Sequence, residues 1–193
     1  MQKMFGLGAK KQPASKTGWN IKLLTKAYLV EGSFQPKDYE SGGLDVFALA
    51  AASAMAEGGL DAFKHLRLTD VRVQPTGNLA SSEESFSEWG LLALDEIVAI
   101  IPNDQASLES AQKAFKDYRH PMDVVVYAGP YRIHAKLMAD TADRKRSPFA
   151  MTQIIPLTDA EIECQLPGAK LTKLPVAWLL LNGSASLHGY GVL

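Results

Sequence analysis

Pro156-Leu157-Thr158-Asp159-Ala160-Glu161-Ile162 decides the reading of this chain, because Leu68-Thr69-Asp70-Val71-Arg72-Val73 states it once already, 89 positions earlier. Along a strand, successive side chains point to opposite faces. Alternation puts Ile155 and Leu157 on one face before the Thr-Asp pair, as it does Leu66 and Leu68. After the pair, Ala160, Ile162 and Cys164 carry the apolar phase, as Val71 and Val73 do in the first copy. The step from Leu157 to Ala160, and from Leu68 to Val71, is three residues where an unbroken strand gives two. A one-residue slip turns every later side chain to the other face. The chain is therefore expected to bulge or bend at Thr69-Asp70 and again at Thr158-Asp159. Two copies of one phase break predict a duplicated β-unit.

Upstream of each copy the pattern repeats. Tyr28, Val30, Gly32 and Phe34 alternate within a strand-like run from Asn20 to Phe34, and Tyr131, Ile133, Ala135 and Leu137 fall on the matching positions. Gly129-Pro130 is a strong turn signal before the second run, where Lys26-Ala27 does the same work in the first. Downstream, each copy has a turn-rich loop, 74–88 or 167–175, and then a hairpin-like pair. These pairs are Trp89 to Leu94 with Ile97 to Ile101, and Val176 to Leu181 with Ser184 to His188. Asn182-Gly183 reads as a type I′ turn in the second.

Helical signals interrupt this pattern twice. Residues 44–57 are rich in helix formers and stop at Gly58-Gly59. Asn103 or Asp104 is placed to cap a helix from Ala106 to Tyr118 that ends before His120-Pro121. Its Leu108, Ala111, Ala114 and Phe115 are expected to face one of the β-units. The expected organisation is a basic arm over 1–18, a first β-unit over 19–103 with its inserted helix, a helical connector over 104–120, and a second β-unit over 121–193. Five short, bent antiparallel strands per unit close into a small barrel more readily than they lie flat. The expected fold class is mainly β with added helices: a tandem pair of small, strongly bent antiparallel β-barrels.

The second unit resembles an Sm-like barrel. Tyr131 to Ala139 forms the second strand, the run from Met151 to Glu163 follows a loop, and Leu179 to Tyr190 closes the pattern. Met151-Thr152-Gln153 stands where Sm-like chains have Met-Asn, and Asn182-Gly183 where they have Arg-Gly. Ile154-Ile155-Pro156-Leu157-Thr158-Asp159-Ala160 also resembles, more closely, the Phe-Leu-Pro-Leu-Thr-Asp-Ala motif of an uncharacterised bacterial family of small β-domains. The Sm likeness covers most of the second unit and, more faintly, the first. It implies single-stranded RNA binding at the rim of a ring, yet the stacking aromatic or His and the Arg beside the base are missing at the matched positions.

Composition narrows the function classes. With 193 residues, 47% hydrophobic and 21% charged, the chain is an ordinary globular sequence long enough for one domain or two small ones. A net charge of -1 gives no global pull toward nucleic acid or membrane. One cysteine, Cys164, excludes an intramolecular disulfide and makes the cytoplasm the expected compartment. Its place in the apolar phase predicts a buried, inert thiol. No apolar run reaches the roughly 18 residues of a membrane span.

No nucleophile elbow, metal-binding HExxH, CxxC or phosphate loop occurs in the sequence. No catalytic residue, cofactor site or metal site is assigned. His134 alternates outward with Arg132 and Lys136, and with His188, Glu161 and Glu163 it forms the one candidate metal or acid–base face. Cross-strand charge pairs on a solvated face account for the same residues. Asp70 and Asp159 beside their threonines are structural bend residues, a side-chain-to-backbone hydrogen bond being the expected device. Arg144-Lys145-Arg146 and the lysines of the arm are the candidate nucleic-acid contacts. The expectation is a non-catalytic binding or assembly module acting through a protein partner or self-association. Single-stranded nucleic-acid binding, and a metal-binding protein or enzyme, stand as alternatives.

Overall fold

In the computed structural model, residues 19–34, 65–77, 83–93, 96–117, 119–139, 154–169, 172–183 and 187–193 are described. The arm 1–18, the helix expected over 44–57 and the Arg144-Lys145-Arg146 run lie outside them. Period-two apolar runs become strands here. β1 (Trp19–Thr25) and β2 (Tyr28–Phe34) form the first antiparallel pair, and β6 (His120–Ala128) with β7 (Tyr131–Ala139) forms its later counterpart. β3 (His65–Pro75) and β8 (Ile154–Cys164) are the two Thr-Asp strands. Four more complete the set: β4 (Glu84–Ala93), β5 (Ile97–Pro102), β9 (Leu174–Asn182) and β10 (Leu187–Val192).

All ten strands belong to one antiparallel sheet, in the order β10-β6-β7-β8-β9-β5-β1-β2-β3-β4. The sheet is not closed: β4 and β10 stand at its two ends, where separate closed barrels were expected. Its interior falls into two buried groups. Ile21, Leu23, Val30, Phe34, Leu68 and Val71 centre the first, while Val124, Val126, Tyr131, Ile133, Leu157 and Ile162 centre the second. Middle strands serve both groups. Ile100 of β5 belongs to the first and Ala99 and Ile101 to the second, so β5 buries both faces. That explains its near-continuous apolar sequence, Ile97-Val98-Ala99-Ile100-Ile101.

The pairing departs from expectation at three places. The terminal pairs are not hairpins: β4 pairs with β3, β5 with β1 and β9, β9 also with β8, and β10 with β6. Asn182-Gly183 makes no type I′ turn. The positive-φ residues described are Asp70, Asp159, Gly129 and Gly168, and Asn182 instead ends β9, its buried Nδ2 donating to the Ile97 carbonyl at 3.1 Å. The loop after β3 is also shorter than expected, because β4 begins at Glu84.

The connector helix α1 (Gln105–Ala114) starts at Asp104, which accepts from Ser107 N at 2.7 Å while the Ser107 hydroxyl closes a reciprocal capping box. The same carboxylate takes both nitrogens of Asn20, at 3.2 and 2.8 Å, and so pins the helix start to β1. Ala111 and Phe115 sink into the first core, with Leu108 and Ala114 packed beside them. Phe115 meets Trp178 of β9 at 5.8 Å between ring centres, an aromatic contact reaching across from the connector to the second half.

Candidate functional site

The Thr-Asp bends have one backbone cause. Asp70 has φ 51° and Asp159 φ 49°, the left-handed region that Asp and Asn tolerate better than other side chains. At both places the register skips. β2 runs from Glu31↔Arg72 to Ser33↔Thr69, and β7 from His134↔Glu161 to Lys136↔Thr158. Gly32 sits opposite the first bulge, where an added Cβ would stand 3.1 Å from Leu68 Cβ and 3.3 Å from the Thr69 carbonyl oxygen. Thr69 Oγ1 reaches the Ser33 carbonyl at 3.4 Å. The Asp159 carboxylate turns outward, where it accepts from Lys136 Nζ at 2.8 Å.

The outer face of β7 and β8 is a ladder of ion pairs. Arg132 faces Glu163 at 3.6 Å, and Lys173 reaches Glu161 at 2.7 Å and Glu163 at 3.5 Å. The Lys173 hydrogen bond holds the Glu161 carboxyl below its usual range, with a smaller pull from His134, and the bond to Asp159 raises Lys136. His134 lies opposite Glu161 in the register, but His188 stands on β10, with β6 between β10 and β7. The face of His134, His188, Glu161 and Glu163 read from the sequence is thus not assembled as one group. Among the described residues no group of three His, Cys, Asp or Glu side chains is placed to hold a metal ion. Cys164 is half-buried at the end of β8, packed beside the second core.

The join between β5 and β9 brings the two halves together. Ala99 lies opposite Leu181 and Ile100 opposite Leu180. Tyr131 crosses this join: its phenol donates to the Thr25 carbonyl at 2.7 Å and shares a hydrogen bond with Thr76 Oγ1 at 3.0 Å. Burial pushes that phenol well above its ordinary range, against the pull of Thr76. A cavity of about 310 Å³ lies beside the join, between Lys22, Gln105, Leu108, Leu174 and Trp178 among others. Its charged groups are already engaged, Lys22 with Glu31 at 2.7 Å and Asp104 with the helix cap.

The two ends of the sheet offer a different surface. Among the described residues β4 is bonded only to β3 and β10 only to β6, and an end strand of this kind presents a row of backbone groups. Exposed apolar residues gather near β10: Tyr127, Tyr190, Val192 and Leu193.

No family model, no curated protein and no solved structure matches this chain.

No described helix is long and apolar enough to cross a membrane. The bend residues Thr69, Asp70, Thr158 and Asp159 lie at two separate bulges and form no common site. Tyr28 and Tyr131, named in the sequence only as members of an alternating run, stand at the starts of β2 and β7, and Tyr131 reaches across the join. Their one signal was their shared place at the start of the second strand of each copy.

Proposed function

We propose that this chain is a non-catalytic assembly module, built of two copies of one five-stranded Sm-like unit, that associates with further copies of itself through the ends of its sheet. One observation carries this reading. The strand order divides into two runs with identical connectivity, β10-β6-β7-β8-β9 and β5-β1-β2-β3-β4, each placing its fifth strand outside its first and its fourth at the other end. The halves meet where the fourth strand of one run pairs with the fifth of the other, β9 with β5. The strands left at the ends are again a fourth and a fifth, β4 and β10. A second copy's β10 laid on β4 repeats a join the chain already makes. Matching irregularities support the repeat: the register breaks between Leu24 and Thr25 along β1–β5, and between Leu187 and Gly189 along β10–β6.

Such a contact is head-to-tail, so it closes into a ring if the rotation per copy permits and otherwise extends. Strand addition supplies main-chain hydrogen bonds, and alternate side chains supply selectivity. Sedimentation velocity over a concentration series tests the reading. The expected result is one discrete oligomer, reduced to monomer by the pair Tyr190→Lys and Val192→Lys, since lysine on an edge strand opposes pairing, with the thermal melt of each chain kept. A wild-type chain that stays monomeric at every concentration overturns it.

A further inference from the structure

We infer that Tyr28 of one copy anchors the contact between copies, seated on the Ala128 carbonyl and the Gln165 side chain of the next. This rests on the self-association reading and names the residues that carry it. The internal join supplies the template. There Tyr131 is 1% exposed, and its phenol reaches across to the Thr25 carbonyl and to Thr76. The turn Thr25-Lys26-Ala27-Tyr28 corresponds to Ala128-Gly129-Pro130-Tyr131, so Tyr28 corresponds to Tyr131 and Ala128 to Thr25. Thr76 corresponds to Gln165 by an independent contact. Thr76 N donates to the Ala27 carbonyl at 2.9 Å, and Gln165 N to the Pro130 carbonyl at 2.8 Å. By this correspondence Tyr28 belongs to the contact made through β4, and it is 40% exposed. A partner copy docked by β10 on β4 brings a carbonyl and a side-chain amide to it.

The other side of the join fits as well. Leu24, 0% exposed, belongs to the second core although it sits on β1 of the first half. Its counterpart on β6 is Tyr127, which is 47% exposed and lies next to β10. Side-chain size also balances across the turns. Internally, a Cβ at Gly129 would stand 3.9 Å from Lys26 Cγ. Between copies the roles exchange, and Lys26 meets Gly129. One device is missing from the outer join: Ala93 of β4 takes the place of Asn182, whose buried amide bonds Ile97. The contact between copies is accordingly weaker than the internal one and separates on dilution.

The test is a dilution series of the full chain by sedimentation velocity, for wild type, Tyr28→Ala, Tyr28→Phe and Tyr127→Ala, with a thermal melt of each. Tyr28→Ala is expected to raise the dissociation constant tenfold or more. Tyr28→Phe, which removes only the hydroxyl, raises it by about 2- to 12-fold, the equivalent of one hydrogen bond. The melt of the dissociated chain is unchanged in both. If wild type associates and none of the three variants weakens it, the anchor assignment is overturned while self-association stands. If wild type never associates, both fall.

Discussion

At φ 49° the backbone of Asp159 occupies a conformation that costs most side chains about 1–2 kcal/mol. Its ion pair with Lys136 is largely solvent-exposed and contributes little. Backbone and charge roles therefore separate by substitution. Asp159→Gly is expected to keep or raise stability in urea unfolding, whereas Asp159→Val, β-branched at positive φ, should lose about 1–3 kcal/mol. Equal losses from both would make the carboxylate the important part. The phase break at Leu157–Ala160 was legible because a period of two tolerates no slip. Its device was not. Thr and Asp beside a bend suggest a side-chain hydrogen bond to the backbone, and only the dihedral angle tells that Asp serves for its tolerance of the left-handed region.

Elements were easier to find than their partners. Alternation located the strands, and Asn103 or Asp104 before an apolar-periodic run located α1, because both signals are local, though α1 ends at Ala114 and not at Tyr118. Pairing is not local. Asn182-Gly183 carries a hairpin signature, yet Asn182 is occupied at the β5–β9 join by a carbonyl 85 positions away, and no local pattern announces that. A protein partner or self-association was expected, on closed barrels; that the strands form one open sheet with β4 and β10 at its ends follows only from the pairing order. For α1, the Asp104 carboxyl is pulled below its usual range: burial works against its charge, but hydrogen bonds from Ser107 and Asn20 outweigh it. A depressed carboxyl stabilises the fold above its unfolded pKa, here 3.8, and that contribution is lost as pH falls through the lower folded value. Asp104→Ala is expected to cost about 1 kcal/mol at neutral pH, and the gap to wild type should narrow below pH 3.8 in acid-unfolding curves.

Across the whole molecule, Tyr131 is a polar tie between the halves, beside the Asn182–Ile97 hydrogen bond, the β5–β9 pairing and the Phe115–Trp178 contact. Removing its hydroxyl leaves the Thr25 carbonyl and Thr76 without their partner, so Tyr131→Phe should cost about 1–2 kcal/mol. The phenol's folded pKa lies above its unfolded value of 10.0, so its contribution is complete below pH 10 and declines as pH rises beyond it. Between pH 10 and 12, wild type should therefore lose stability more steeply than Tyr131→Phe in chemical unfolding, and parallel curves would refute the assignment. The two Thr-Asp stretches were read as a duplication, and each lies on a strand of the sheet with its Asp at positive φ. That all the described strands would share one sheet could not be read, since β5 looks merely apolar in sequence and its place between β1 and β9 is set by strands distant in the chain.

The order of strands also sets a problem for the ribosome. β5 is complete long before β9 exists, since Ile100 must wait for Leu180. At about 5–20 residues per second that wait is roughly 4–16 s. During it the first half carries a fourth strand at one end and a fifth at the other, so the proposed join between copies would make adjacent nascent chains on one message mutually adhesive. Slow translation between β5 and β9 would then yield first halves threaded onto one another, with their own second halves left outside.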